Sequence, residues 1–188
     1  MTIADQSDVG KIDLSISIGQ AYLYMLAFVV PLIALLSLLF ILAWGLVAFI
    51  AGLSSFARLS SAIPSLVIGV PLHELIHGLS WAYFGRKPLK DIKFGFQLAT
   101  LTPYAHSRVP LPARAYRMGA LMPAVVLGLL PYVIGLATGT GWFTIFGLLY
   151  IFAAGGDLVV YWLIRKVDGE TLVEDHPSRA GCYVLVGD

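Results

Sequence analysis

The chain alternates between long apolar stretches and shorter polar segments. No charged residue occurs between Asp13 and Arg58, and none occurs between Arg117 and Asp157. Each of these stretches exceeds the roughly 20 residues that a helix needs to cross the hydrocarbon core of a bilayer. The pattern therefore predicts membrane-spanning helices on both sides of a more polar middle.

We predict four transmembrane helices from this pattern. The first is overlong for one perpendicular span and contains Pro31, which is typical of a tilted or kinked helix. Pro64 falls in the first turn of the second helix, where its missing N–H costs little. A Thr-Gly-Thr-Gly turn connects the last two helices. The predicted helices cover approximately residues 21–53, 62–84, 116–137 and 142–164.

Three polar segments flank these helices. Residues 1–20 form a polar N-terminal segment, which lacks the basic start of a cleavable signal peptide, so no removal is expected. Residues 85–115 form a loop in which 89–101 predicts one or two short strands. Residues 167–188 form a tail that ends in β-prone residues, and we expect its strand to pair with those of the loop. The predicted fold is an all-α membrane protein with a short cytoplasmic β-prone loop between helices two and three.

Basic residues are concentrated on one side of the predicted helices. The loop and its edges carry seven of them, whereas the opposite side carries only Arg58. The positive-inside rule places such a loop in the cytoplasm. We therefore expect a multi-pass protein of the cell membrane with its N-terminus, loop and C-terminus in the cytoplasm. The seven residues are Arg86, Lys87, Lys90, Lys93, Arg108, Arg114 and Arg117.

The composition excludes several other classes of protein. Hydrophobic residues make up 59% of the chain and charged residues 12%, whereas about a quarter of a soluble domain is charged. The single cysteine, Cys182, cannot form an intramolecular disulfide. A net charge of +1 without a basic stripe gives no reason to expect a nucleic acid partner. The expected surroundings are the lipid bilayer, and the sequence does not indicate an oligomeric state.

The second predicted helix carries three polar residues in an otherwise apolar stretch. His73, Glu74 and His77 form the pattern His-Glu-x-x-His. Residues four apart lie on one helix face, so the two imidazoles can bind one Zn²⁺. The Glu of this pattern lies close enough to take a proton from metal-activated water. A chance match arises on the order of once in a thousand sequences of this composition.

An alternative interpretation is that these side chains only form hydrogen bonds with neighbouring helices. A carboxylate at mid-membrane costs about 2.5 to 3.5 kcal/mol on insertion scales unless a partner or cavity accepts it. Ionisable residues at this depth therefore mark functional sites. We favour a zinc site with ligands His73 and His77 and with Glu74 as general base.

A catalytic zinc site needs a third protein ligand. Tyr83 occupies the position six residues after His77 where metzincins have theirs, and no Glu occurs between Glu74 and Glu170. Asp157 is the only other carboxylate within the predicted helices. His77 and Asp157 each lie about 12 to 14 Å along a helix from basic residues that mark the same membrane boundary. Asp157 is therefore the candidate third ligand.

The segment before Asp157 consists of small residues, Ala-Ala-Gly-Gly at 153–156. Small residues let membrane helices approach backbone to backbone. We expect this segment to bring the fourth helix against the second. The alternative is that it is only a packing face and that Asp157 pairs with an Arg or a His.

In these motifs the chain resembles the small integral membrane proteins grouped as putative zincin peptidases. That group resembles the site-two intramembrane metalloproteases only distantly. The resemblance covers approximately residue 64 to the C-terminus. It implies a membrane metallopeptidase with His73 and His77 as ligands, Glu74 as base and Asp157 as third ligand. The motifs are HELIH at 73–77, TPYAHSRVPL at 102–111, RMGALMPAVVLG at 117–128, GGD at 155–157 and EDHPSRAG at 174–181.

One departure from the site-two pattern concerns the oxyanion. Site-two proteases place an Asn-Pro-Asp-Gly element around their third ligand, whereas this chain contains no Asn. The resemblance therefore leaves the residue that stabilises a developing oxyanion unidentified.

Several further residues are weaker candidates. His106 and Tyr104, in the loop, are candidates for contact with the substrate or the oxyanion, although loop residues are more often solvated. His176 is expected to be a tail residue rather than a ligand. Pro123 and Pro131 are expected to kink the third helix.

The sequence thus predicts a zinc-dependent metallopeptidase that hydrolyses a peptide bond in or near the membrane, with a membrane-associated peptide or protein as substrate. One alternative is a non-catalytic metal-binding adaptor or regulatory protein whose zinc has a fourth protein ligand such as His106. Another is an ion or metal carrier, against which the lack of an inverted repeat in the sequence argues.

Overall fold

The computed structural model describes residues 10–97 and 102–186. Residues 1–9, 98–101 and 187–188, which include parts of the predicted N-terminal segment, loop strands and tail, lie outside the described residues. The helices are α1 (Ile18–Trp44), α2 (Leu46–Phe56), α3 (Leu59–Gly85), α4 (Ala113–Pro123), α5 (Leu130–Thr138), α6 (Gly141–Ala153) and α7 (Gly155–Ile164). The strands are β1 (Gly10–Ile16), β2 (Ile92–Gln97), β3 (Thr102–Ser107), β4 (Leu111–Pro112), β5 (Leu172–Asp175) and β6 (Ala180–Val186).

Three helical stretches of the described chain are long and apolar enough to cross a membrane. They are Ile18–Trp44, Leu59–Gly85 and Ala113–Thr138. Helices α6 and α7 meet at an angle of 50° and would form a fourth span if the bent pair is counted as one. Length and composition therefore allow three spans, or four with the bent pair.

The predicted helix over 21–53 is divided in the structure. Gly45 has a φ of 87° and separates α1 from α2. Glycine adopts positive φ without the steric cost that other residues bear. Helix α1 continues through Pro31. The expectation of one long helix with an irregularity at Pro31 is therefore wrong, because the break lies at Gly45.

The third and fourth predicted helices also contain irregularities. A π-helical segment, Ala124–Leu129, follows Pro123 and joins α4 to α5. Such segments widen the helix locally and lie where the regular hydrogen-bond ladder is interrupted. The predicted helix over 142–164 bends after Ala153, where α6 ends and α7 begins.

The chain is mostly helical, as expected, but the all-α expectation falls short because strands from three distant segments form an antiparallel sheet. Its order is β1-β6-β5-β4, and Val173 on β5 lies opposite both Leu111 and Val184. Strands β2 and β3 form a separate hairpin. The tail therefore pairs with the N-terminal segment and with the end of the loop, and the expected pairing with the strands over 89–101 is wrong.

A buried apolar cluster joins the four-stranded sheet to the helices. Leu111 and Cys182 are fully buried in it. Burial of one large apolar side chain contributes about 1.5 to 3 kcal/mol, so the cluster holds the sheet firmly against α3, α4 and α7. Its members are Trp81, Ile92, Leu111, Ala113, Tyr116, Ile164, Val173, Cys182 and Val184.

Candidate metal centre

Helix α3 places His73 and His77 one turn apart on a buried face. Their exposed fractions are 9% and 5%. Their ring centroids lie 4.8 Å apart, and their Nε2 atoms lie 3.1 Å apart. This close approach follows from the spacing of four residues, which stacks side chains on one helix face. The two Nε2 atoms therefore converge.

Asp157 reaches these histidines from the first turn of α7. Its Oδ2 lies 3.2 Å from Nε2 of His73, and its Oδ1 lies 3.4 Å from Nε2 of His77. The bend between α6 and α7 makes Asp157 an N-terminal residue of its helix, where the helix dipole favours a carboxylate. The structure thus brings the three residues predicted as ligands together.

The donor atoms of the three residues lie close enough together to surround a single metal ion. A tetrahedral ion with ligand distances of about 2.0 to 2.1 Å holds its ligand atoms about 3.3 to 3.4 Å apart. The two Nε2 atoms lie 3.1 Å apart, and the two oxygens of Asp157 lie 3.2 and 3.4 Å from one Nε2 each. With one ligand atom taken from each residue, the three atoms lie within 4.8 Å of one another. Within residues 10–97 and 102–186, no fourth His, Cys, Asp or Glu joins this group. Three protein ligands are typical of catalytic zinc sites, whereas structural sites have four.

A contact from α4 orients His77. Its Nδ1 lies 2.9 Å from the carbonyl oxygen of Gly119. A carbonyl only accepts, so Nδ1 carries the proton and Nε2 of the neutral ring keeps its lone pair for a metal. A Cβ at Gly119 would lie 1.9 Å from Nε1 of Trp81, so glycine allows this approach. Trp81 also stacks on His77, with centroids 5.4 Å apart, which restrains the imidazole ring.

Glu74 lies beside the three candidate ligands without belonging to their group. Its Oε2 accepts a hydrogen bond of 2.8 Å from the N–H of Ala105 on β3. The hairpin packs closely on α3, because a Cβ at Gly78 would lie only 2.3 Å from Cζ of Phe94. The hairpin therefore fixes the orientation of the Glu74 carboxylate.

Two cavities meet at Glu74. The larger has a volume of about 260 Å³ and is lined by His77 and Asp157 as well as by residues of β3 and of the turn between β5 and β6. The smaller has a volume of about 130 Å³ and lies between α3 and α6. Glu74 therefore borders both cavities.

The two loop candidates have different positions. His106 lines the larger cavity, and its Nδ1 lies 2.8 Å from Oδ2 of Asp175. It does not belong to the ligand group, so the structure gives no support to His106 as a fourth ligand. The ring of Tyr104 lies against Gly95, with Nζ of Lys93 5.8 Å from its centroid, and lines neither cavity. Its contact with substrate stays a prediction.

Sequence reasoning missed the contribution of the tail to this cavity. Asp175, His176 and Arg179 all line it. Nδ1 of His176 accepts hydrogen bonds from the backbone N–H groups of Ser178 and Arg179, which shapes the turn. The available signal was the EDHPSRAG motif, but its position in the chain gives no hint of which residues it contacts.

The small residues before Asp157 act differently from the expectation. A Cβ at Gly155 would lie 2.4 Å from Cγ of Met25, so this glycine lets α7 approach α1. Gly156 has no atom within 4 Å of such a Cβ. The expectation that these glycines pack on the second predicted helix is therefore wrong, and the bend after Ala153 brings Asp157 to the histidines instead.

The chain is thus mostly helical and apolar, and it carries a candidate metal centre of two His and one Asp. The chain belongs to the putative zincin peptidase family, whose model matches residues 66–172. This confirms the family indicated by the motifs, and a zincin family implies zinc as the metal. The match contains all three candidate ligands and ends before Asp175. Comparisons with curated proteins and with solved structures give no match.

Proposed function

We propose that this protein is a zinc-dependent metallopeptidase that hydrolyses a peptide bond in or near the membrane. The observation that carries the proposal is the convergence of His73, His77 and Asp157 with Glu74 beside them. A set of three ligands favours catalysis over a closed, structural metal. Membership of the zincin family supports both zinc and peptidase chemistry in general.

Each residue has a distinct role in this proposal. His73, His77 and Asp157 would hold the ion, and Gly119 would keep His77 in the tautomer that binds metal. When bound, Zn²⁺ is a Lewis acid that polarises the carbonyl of the scissile peptide bond and lowers the pKa of a water molecule in the site. Glu74 takes the proton of the attacking water and transfers it to the leaving nitrogen. Its hydrogen bond from Ala105 limits the rotation of the carboxylate during this transfer.

We further propose that the helices cross the cell membrane and that both termini lie in the cytoplasm. The four-stranded sheet supports a location of both termini on the same side of the membrane. It joins the segment before α1, the end of the loop before α4 and the segment after α7. A single sheet cannot lie on both faces of a bilayer. The concentration of basic residues in the loop over 85–115 supports a cytoplasmic location for that side by the positive-inside rule.

The proposed substrate is a membrane-associated peptide or protein. The smaller cavity is lined by Val70, Tyr150 and Ala153, from helices that would lie within the bilayer, in addition to His73 and Glu74. The larger cavity opens beneath the sheet, which the proposed orientation places on the cytoplasmic side. Because the two cavities meet at Glu74, a peptide near the membrane surface can approach the proposed base.

The test compares the wild-type chain with Glu74→Gln and with the control Glu170→Gln. Glu170 pairs with Arg114 at the surface, away from the centre. Each protein is purified in detergent, loaded with zinc and incubated with a proteome-derived peptide library, and new peptide termini are counted by mass spectrometry. We expect Glu74→Gln to keep its zinc and to lose about 10²- to 10⁴-fold in cleavage rate. The control should cleave like the wild type.

Two results would contradict the proposal. Equal cleavage by the wild type and Glu74→Gln would exclude the proposed base. Zinc binding without any cleavage, and without an exchangeable water ligand, would instead support the adaptor that the sequence left open.

A further inference from the structure

The larger cavity is also lined by residues that have no role in the proposed mechanism. His77, Glu74 and Asp157 form one side of this space of about 260 Å³. His106 from β3 and Asp175 from the end of β5 line it as well. Asp175 lies beyond the stretch that the family model matches and has no part in the proposed mechanism so far.

Asp175 is held by three donors. Its Oδ2 lies 2.8 Å from Nδ1 of His106 and accepts from the backbone N–H of Ser107 at 3.3 Å. Its Oδ1 accepts a hydrogen bond from the hydroxyl of Tyr116 on α4. The side chain of Asp175 is only 13% exposed. A carboxylate that is largely buried and bonded at both oxygens has one orientation, so Asp175 is a fixed anchor for the imidazole.

This anchor determines the state of His106. An ionised carboxylate only accepts, so Nδ1 of His106 must carry the proton and Nε2 is the nitrogen turned away from Asp175. The hydrogen bond with Asp175 also raises the pKa of His106 above its ordinary value. The neutral imidazole is therefore held in the Nδ1–H tautomer. On protonation, this cavity-lining residue gains a second N–H donor at Nε2.

The same strand connects this pair to Glu74. Ala105 donates its backbone N–H to Glu74, and the next residue is His106. Movement of β3 would therefore displace the proposed base and His106 together. Asp175 and Tyr116 tie this strand to β5 and α4, which fixes its position relative to the proposed ligands.

We propose that Asp175 is a positioning residue that holds His106 so that, when the imidazole carries both protons, Nε2 donates a hydrogen bond to the oxygen of the scissile carbonyl as negative charge develops there. This inference rests on the proposed peptidase function. A fixed donor at a developing oxyanion stabilises the transition state more than the ground state, because the charge is present only in the transition state. The chain has no Asn for this task, and the tail supplies the support that the loop histidine needs.

Other charged and titratable groups surround His106 and affect its titration. Lys93 lies directly across from it on β2 and lowers its pKa, whereas Glu174 on β5 raises it. Tyr116 on α4 contacts it only through Asp175. The remaining groups that line the cavity are Glu74, His77, Asp157, His176 and Arg179.

The first test does not depend on activity. The chain has four histidines, and ¹⁵N-labelled imidazoles can be titrated by NMR in detergent micelles for the wild type, Asp175→Asn, Tyr116→Phe and Glu174→Gln. Glu174 is the matched control, since it neighbours Asp175 but pairs with Lys11 at 2.7 Å. We expect the wild type to show protonated Nδ1 on neutral His106. We also expect Asp175→Asn to lower the pKa of His106 clearly, and both other variants to change it less. An unchanged pKa and tautomer in Asp175→Asn would overturn the positioning role.

The second test uses the zinc-loaded protein and acetohydroxamate, which presents an anionic oxygen to a zinc centre. His106→Gln and Asp175→Asn should each bind it about 10-fold or more weakly, since a hydrogen bond to a charged group is lost or misdirected. For cleavage, both should lower kcat with little change in KM. The double variant should lose little more than His106→Gln alone, because Asp175 acts through His106.

The outcomes separate this inference from the proposed function. If Asp175→Asn keeps the kcat and the acetohydroxamate affinity of the wild type while Glu74→Gln is inactive, the positioning role is overturned and the peptidase function stands. Additive losses in the double variant, or equal losses in Glu174→Gln, would also overturn it, since they indicate a general charge or folding effect. Full activity of Glu74→Gln would overturn the peptidase function and with it the oxyanion role, even if the NMR titration shows the anchor.

Discussion

His73 and Asp157 lie 84 residues apart in the chain, yet Nε2 of the first and Oδ2 of the second are 3.2 Å apart. Two features of the fold produce this contact. The regular turn of α3 presents the imidazole on a buried face, and the bend between α6 and α7 presents the carboxylate from the start of a helix. The proposed metal site therefore depends on a helix irregularity as much as on the His-Glu-x-x-His pattern.

Asp157→Ala should lower zinc affinity strongly. Loss of a direct ligand should cost more than the roughly 10- to 100-fold that is typical for loss of an outer hydrogen-bond partner of a metal ligand. Zinc content after dialysis against a competing chelator measures this change. Asp168→Asn is the control, since Asp168 accepts only a local hydrogen bond from the backbone of Glu170. Equal zinc retention by both variants would show that Asp157 is not a ligand.

Gly119→Ala should disturb both stability and metal binding. The new Cβ would lie 1.9 Å from Nε1 of Trp81, so α4 must move away from α3 or Trp81 must move. Such overpacking typically costs about 1 to 3 kcal/mol, and the shift would weaken the hydrogen bond between His77 and Gly119. Thermal unfolding in detergent and zinc affinity are the measurements.

Gly19→Ala is the matched control for this substitution. A Cβ at Gly19 has no atom within 4 Å, and the residue lies in the first turn of α1. Its stability should equal or slightly exceed that of the wild type, because Ala favours helix. If Gly119→Ala behaves like Gly19→Ala in both measurements, the close packing at Gly119 does not orient His77.

The pair of His106 and Asp175 should give a pH-dependent contribution to stability. The hydrogen bond raises the pKa of His106 in the folded chain above its value in the unfolded chain. Its contribution is therefore complete below the unfolded value of about 6.5 and is lost as pH rises through the higher folded value. The effect should be small, since the side chain of His106 is 42% exposed and solvent screens the charge.

Thermal unfolding of the wild type and of His106→Gln over a range of pH checks this sign. The difference in Tm should be largest near pH 6 and should shrink toward alkaline pH. A difference that grows as pH rises would mean that His106 is held in its neutral form, contrary to the contact with Asp175.

Cys182 should react slowly while the sheet is intact. It is fully buried on β6 opposite Leu14 of β1, and burial raises its pKa to about 12. At pH 8 the folded protein should alkylate roughly 10³-fold more slowly than the unfolded chain, because only the thiolate is nucleophilic. Iodoacetamide labelling followed by mass spectrometry measures the rate. Rapid labelling of the folded protein would show that β1 and β6 do not pair as described.

Local patterns in the sequence predicted most of the helical stretches and the three candidate ligands that the structure brings together. His73 and His77 could be placed on one face because helix periodicity is regular, and Asp157 stood out because carboxylates in apolar stretches are costly. The break at Gly45 could not be predicted in the same way, since isolated glycines are tolerated within helices. The role of Asp175 was hidden for a different reason. Its contact with His106 depends on a sheet built from distant segments, which local periodicity does not encode.

The most direct measurement of the central claim is zinc K-edge X-ray absorption of the wild-type protein, together with its metal content. We predict about one zinc ion per chain, with an inner shell of two imidazole nitrogens and carboxylate or water oxygen at about 2.0 to 2.1 Å. A chain that binds no zinc would contradict this account. So would an inner shell without imidazole, or one with sulfur at about 2.3 Å.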